Sequence, residues 1–246
     1  MNQLIKFEFR KLFKSTSFML MTLIASLLVL ISIFTEYRFS SHDEISGLLA
    51  GEFVFDFANI SCIYLLIGIF MAIFTCDNYS TLTIKNIYSK GYTRGQVYFS
   101  KYIVTLCGTL IITMITYLVT IILGLVFFHS IKGLPENYII IFLAQLFTIV
   151  LYHSFYFFLS NSLGNVGGAV SLCIIVPFAA NLLLVSIDAN IDANFSLIEY
   201  WISYLSSVPF SYGVKLAEIG KTTLISIMHI IIWSSLGYLA NRKKQF

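Results

Sequence analysis

Few residues in this 246-residue chain have the types and spacing that chemistry needs. The nearest match to a nucleotide site is Gly220-Lys221-Thr222-Thr223, the closing half of a phosphate-binding loop. Such a loop needs GxxxxGK[ST], so that glycine-turn amides can wrap the phosphates, yet the first glycine position holds Lys215. No strand pattern precedes it, so nucleotide binding is not expected there. A zinc hydrolase would carry HExxH or a comparable ligand set, which is absent. His153 and His229 sit deep in apolar runs without carboxylate neighbours. They read as buried imidazoles hydrogen-bonded to a neighbouring helix, with a pathway role as the alternative. Cys62, Cys76, Cys107 and Cys173 fall in or at the ends of apolar runs, with no CxxC. They read as small core residues. No catalytic residue, metal site or cofactor is expected in this chain.

The charged residues carry a different kind of information, because they concentrate between apolar runs. From Asp77 to Lys101 the chain reads DNYSTLTIKNIYSKGYTRGQVYFSK, with Lys85, Lys90, Arg94 and Lys101 against the single acid Asp77. Gly91 is placed to end a short helix as its C-cap, and Thr93-Arg94-Gly95-Gln96 reads as a capping box opening the next one. That next helix should run unbroken to about Phe128, roughly 50 Å at 1.5 Å per residue, and project past the bilayer with Arg94 and Lys101 on the overhang.

The bulk composition says what surrounds this segment. The chain is 58% hydrophobic and only 11% charged, with mean hydropathy +0.87. A soluble domain carries about 25% charged residues, so the chain is an all-α polytopic membrane protein. Six apolar windows fit a bilayer core of about 30 Å: approximately 17–35, 57–76, 102–128, 138–160, 168–187 and 222–240. The whole of 1–246 is expected to form one membrane domain, and the first apolar run is expected to stay as a span, since no small-residue cleavage site follows it.

Orientation follows the positive-inside rule. With the N-terminus inside, Lys6, Arg10, Lys11, Lys14, Lys85, Lys90, Arg94, Lys101, Arg242, Lys243 and Lys244 are cytosolic, while only Arg38, Lys132, Lys215 and Lys221 are outside. Both termini are therefore expected in the cytosol of a cell whose plasma membrane the chain crosses. Every Asp, Glu, Lys and Arg falls in a loop or at a span end, whereas an ion-coupled carrier keeps ionisable groups at membrane depth. An ion-coupled secondary transporter is accordingly the second reading.

Smaller features complete the pattern. Residues 4–14 place Ile5, Phe9, Leu12 and Phe13 on one helical face and Lys6, Arg10 and Lys14 in a row opposite, as in an interfacial helix over residues 1–15; a plain basic flank is the alternative. The loop 36–56 carries Glu36, Asp43, Glu44, Glu52 and Asp56 among aromatics and reads as solvated, with attraction of cationic cargo as the other possibility. The fourth apolar window is rich in Phe and Tyr, for helix packing and lipid contact or for a ring-lined path. The inner turn from Ser160 to Gly168 carries no charge and holds Gly164 and Gly168 at GxxxG spacing, which permits close helix contact. Pro177 can kink the fifth window. The segment 188–221 contains an apolar stretch too short to span, which fits short helices dipping into the outer leaflet.

Taken in order, a basic amphipathic helix, two spans, the TIKNI and GYTRGQVYFSK segment, four more spans and dipping outer helices resemble the ABC-2 family of ABC-transporter permeases. The likeness covers essentially the whole chain and is nearest to short permeases of bacteriocin, lantibiotic and antimicrobial-peptide exporters. It implies that the short helix within 77–93, about Thr81 to Ser89, is a cytosolic coupling helix seated in a separate ABC ATPase subunit. Thr83, Ile84, Lys85, Asn86, Ile87, Tyr88, Arg94 and Lys101 would then be the ATPase-coupling residues. Leu82 stands where the family often has glycine. The resemblance further implies that ATP and Mg are bound by that partner, and that a second permease, identical or related, pairs with this one. Spans 1 and 5 would face that second permease, with Gly164 and Gly168 near the interface. The cargo would be a hydrophobic or amphipathic peptide or a toxic compound, and no nucleic-acid partner is expected.

Overall fold

The computed structural model describes residues 1–39, 61–80, 83–128, 137–190, 196–210 and 214–243. The helices in chain order are α1 (Asn2–Lys14), α2 (Thr16–Phe39), α3 (Ser61–Ser80), α4 (Thr83–Ser89), α5 (Arg94–Phe128), α6 (Tyr138–Leu163), α7 (Val166–Asp188), α8 (Ile202–Ser207) and α9 (Leu216–Lys243). Tight 3-10 turns at Ile198–Tyr200 and Val208–Phe210 flank α8. The acidic loop over 40–56 and most of the turn after Phe128 lie outside the described residues, as do Lys132 and Lys244.

Five described helices, α2, α5, α6, α7 and α9, are long and apolar enough to cross a bilayer. The span expected at 57–76 begins outside the described residues, and the described part, α3, holds the shorter apolar stretch Ile63–Asp77. This α3 lies at the centre of the bundle and packs against α2, α5, α6 and α7. Ile67, Phe70, Met71 and Ala72 have no exposed surface.

Helix α6 is buried nearly all round, from Leu151 through Phe157, between α3 and α9. The aromatics of this stretch pack against protein: Tyr152 stacks on Tyr64 at 4.1 Å, and Phe155 meets Trp233 at 5.0 Å. By contrast α2 buries only the stripe Phe18, Ala25, Val29 and Ile33, and α7 buries only Ala169 and Cys173. Other large apolar side chains, among them Leu20, Leu23, Leu27 and Ile31 of α2 and Ile175, Leu182 and Leu183 of α7, are exposed on the outside of the bundle, as suits lipid or a partner helix.

Glycine sets one close approach. A Cβ on Gly108 of α5 would meet Leu12 of α1 and Phe70 of α3, each at 3.1 Å. Its absence leaves the notch through which α1 docks onto the bundle.

Two expectations change. The buried stripe of α1 is Leu4, Glu8 and Leu12, with Ile5 and Phe9 partly covered, while Phe13 is 53% exposed. The helix is turned because it packs on α5 and does not merely float at an interface. Lys6, Arg10 and Lys14 are exposed, as their spacing predicts. Next, the first turns of α5 are not a bare overhang, since Val97, Tyr98, Ser100 and Lys101 are all buried there. Gly164 and Gly168 lie where two helices meet, as their place between the fourth and fifth apolar windows predicts. Gly164 closes α6 at φ 75°, in the left-handed region glycine favours, and Gly168 begins α7, its N–H donating to the Asn165 side chain at 2.7 Å. The GxxxG spacing is used by the turn between the two helices.

Candidate functional site

The short helix α4 is built as its sequence predicts. Gly91, at φ 84°, donates its N–H to the Tyr88 carbonyl at 2.9 Å and ends the helix. The Thr93 N–H donates to Gln96 Oε1 at 3.0 Å and the Gln96 N–H to Thr93 Oγ1 at 3.3 Å, the reciprocal capping box. The helix starts at Thr83, and residues 81 and 82, together with the side chains of Thr83 and Ile84, lie outside the described residues.

Ile87 is 6% exposed and packs with Leu4 of α1 and Val97 of α5, flanked by Tyr88 and Tyr92. It faces the body of the protein and anchors α4 to it. Lys85, Asn86, Ser89 and Lys90 face outward. Burial pushes the Tyr88 hydroxyl above its ordinary range, partly offset by Arg94, so it stays protonated.

Further ties fix this end of the molecule. Lys11 of α1 pairs with Asp77 near the end of α3 at 2.5 Å and lies 5.3 Å from the Phe74 ring. Lys101, only 2% exposed, donates to the Thr75 carbonyl at 3.4 Å, so this predicted surface cation links α5 to α3. Arg94 donates to the Arg242 carbonyl, one of the orphan acceptors at the end of α9, and Asn241 donates back to the Arg94 carbonyl at 3.2 Å. Tyr98 donates to Ser234 at 2.7 Å and Asn161 to Gly237 at 3.2 Å, so α5, α6 and α9 meet through polar bonds just behind α4.

Deeper in the bundle runs a polar seam. Thr105, Thr109, Thr113, Thr116 and Thr120, recurring every three or four residues along α5, are all buried. His153, fully buried, bonds Thr105 across helices at 3.0 Å, as the reading of a packed imidazole requires, and Tyr102 bonds Ser154 at 2.7 Å. His229 accepts from Trp233 one turn along its own helix at 3.2 Å and also bonds the Tyr200 backbone of the 3-10 turn before α8. The threonine spacing was the sequence signal for this seam.

At the opposite end, a groove of about 390 Å³ opens between α3, α6, α7 and α8. Its wall is uncharged: Tyr64, Tyr152 and Tyr156 on one side, Ile174, Pro177 and Phe178 on another, with Asn181, Ser203, Ser206 and Ser207 as hydrogen-bonding groups. That size and mixture suit a small apolar ligand with a few polar atoms. The floor is held by α8, whose Ile202 and Leu205 are buried, and by Asp188, which accepts from Ser196 at 2.7 Å and from the Leu197 and Ile198 N–H groups at 2.9 Å. Lys221 pairs with Glu199 at 3.3 Å, and the Gly220–Thr223 segment lies inside α9, a helix rather than a phosphate loop.

Comparison with curated proteins returns no match. The model of the family described as ABC-2 family transporter protein matches residues 4–180, more than half of the chain, taking in most of α1, all of α2 to α6 and most of α7. A multi-helix membrane protein with α4 held between its membrane helices, this chain belongs to the ABC-2 family of transporter proteins.

Proposed function

We propose that this chain is the permease subunit of an ATP-driven exporter, crossing the plasma membrane six times with both termini in the cytosol. A separate ABC ATPase subunit docks on α4 and supplies ATP hydrolysis, with its Mg, so the chain itself is not an enzyme. The observation that carries this reading is the mounting of α4. Its outward face, Lys85, Asn86, Ser89 and Lys90, is open, and its inward face is bolted through Ile87 to α1 and α5. A push on that outer face is therefore delivered to two helices at once. Thr83, Ile84, Tyr88, Arg94 and Lys101 belong to the same segment, with Arg94 and Lys101 passing the motion to α9 and α3.

A second permease, identical or related, pairs along α2 and α7, whose apolar faces are largely uncovered. The short helix α8 dips into the outer leaflet, and the neutral, aromatic groove above it takes cargo. The cargo class that fits is a hydrophobic or amphipathic peptide or toxic compound.

The full-length chain purified from its own cells should bring a nucleotide-binding subunit with it. Changing Lys85→Glu together with Asn86→Asp should abolish that association while leaving the melting temperature unchanged. Association that survives the double change removes α4 as the docking element, and transport that persists without ATP but stops with an uncoupler favours an ion-coupled carrier.

A further inference from the structure

Within the seam between α3, α5 and α6 lies a small cavity of about 20 Å³, lined by Tyr64, Thr113, Thr116, Tyr117, Thr120 and Gln145 among others. Tyr64 is 4% exposed. Its hydroxyl and that of Tyr117 are shielded from the surface and have no hydrogen-bond partner in the protein among the described residues. Gln145 and Thr148 lie alongside the Tyr64 hydroxyl without completing a bond to it. A buried hydroxyl left in that state costs about 1–3 kcal/mol, and in a bilayer no bulk water relieves it.

The threonines have the complementary need. Thr113 donates to the Thr109 carbonyl at 2.9 Å, Thr116 to Ile112 at 2.7 Å and Thr120 to Thr116 at 2.9 Å. Their protons are spent within α5, which leaves lone pairs as acceptors along the seam. The cavity thus combines two donors from tyrosine with acceptors from threonine and carries no charge.

We propose that this cavity is a site for one ordered water molecule, accepting from Tyr64 and Tyr117 and donating to threonine oxygens of α5. The volume suits it, because a water needs roughly 10–15 Å³ of such space and two to four polar partners. A metal cation does not suit it, since both tyrosines present protons and no carboxylate is near. The water joins α3 to α5 at membrane depth. Tyr64 also forms part of the wall of the 390 Å³ groove, so the same residue borders both spaces.

X-ray radiolytic footprinting of the full-length chain in lipid nanodiscs, read by mass spectrometry, tests this. Brief exposure oxidises side chains beside bound water and spares dry ones. Tyr117, which lines the inner cavity and not the groove, should be modified several-fold faster than Tyr98 and Phe70, which are buried and line neither. Tyr64→Phe should bring the Tyr117 rate down to that of Phe70. Should Tyr64→Phe fail to fold, Thr116→Val serves, since it removes an acceptor and keeps the ring positions. A wild-type Tyr117 rate no higher than that of Tyr98, or a Tyr117 rate that neither change lowers, overturns the proposal.

Discussion

Gly237 tests whether α5 and α9 are joined as tightly as the geometry says. A Cβ at this position would sit 2.7 Å from the Tyr98 hydroxyl oxygen, well inside contact distance, while the ring carbons lie at an ordinary 3.5 Å. Tyr98 cannot swing aside easily. It is 3% exposed, its hydroxyl donates to Ser234, and Phe99, Tyr102, Phe157 and Tyr238 surround its ring. Replacing Gly237 with Ala brings a helix-propensity gain of about 0.8–1.0 kcal/mol. Against it stand an overpacking cost of about 1–3 kcal/mol and the loss of a hydrogen bond of about 0.5–1.5 kcal/mol. The net is a destabilisation of roughly 1–3 kcal/mol, or a fall of several degrees at about 2–4 °C per kcal/mol for a chain of this size.

The same substitution in a Tyr98→Phe background meets no oxygen, so only the propensity gain remains and the sign reverses. Thermal unfolding in detergent at one fixed scan rate reads all four proteins. Gly220→Ala, which meets nothing within 4 Å, is the control and should raise the melting temperature. If Gly237→Ala shifts the melting temperature the same way in both backgrounds, the contact does not hold α9 to α5 as described.

The other expectations concern the mounting of α4. Removing both halves of the capping box, Thr93→Ala with Gln96→Ala, should destabilise the start of α5 by about 1 kcal/mol, seen as faster amide exchange confined to the first turn. Asp77→Asn should cost at most about 1 kcal/mol, and the loss should shrink at high salt, because the pair with Lys11 is partly exposed at 23% and 44%. A loss independent of salt would mean Asp77 acts through its other contacts. Ile87→Asp should lower the melting temperature markedly, unlike changes at Lys85, since it places a charge against Leu4 and Val97. Asp188→Ala should raise proteolytic sensitivity around Ser196–Ile198, whose three bonds to the carboxylate it removes.

Local chemistry was enough to determine several elements. Composition and apolar run length decide for a membrane protein, because a bilayer fixes how long an apolar helix must be. Gly91, Thr93 and Gln96 act through bonds to residues three positions away, so the end of α4 and the start of α5 can be read from the string alone. What tertiary structure decided is every choice among faces. Lys101 looks like a surface cation in sequence, yet it is buried because α3 brings the Thr75 carbonyl within reach. The covered stripe of α1 runs through Leu4, Glu8 and Leu12 rather than its most apolar line, because Gly108 opens a notch that receives Leu12. The groove and the inner cavity need Tyr64 to meet residues from helices far along the chain, and no periodicity encodes that meeting. In a helix that is apolar on every side, hydrophobicity no longer marks the inside, and only packing selects which side chains face protein and which face lipid.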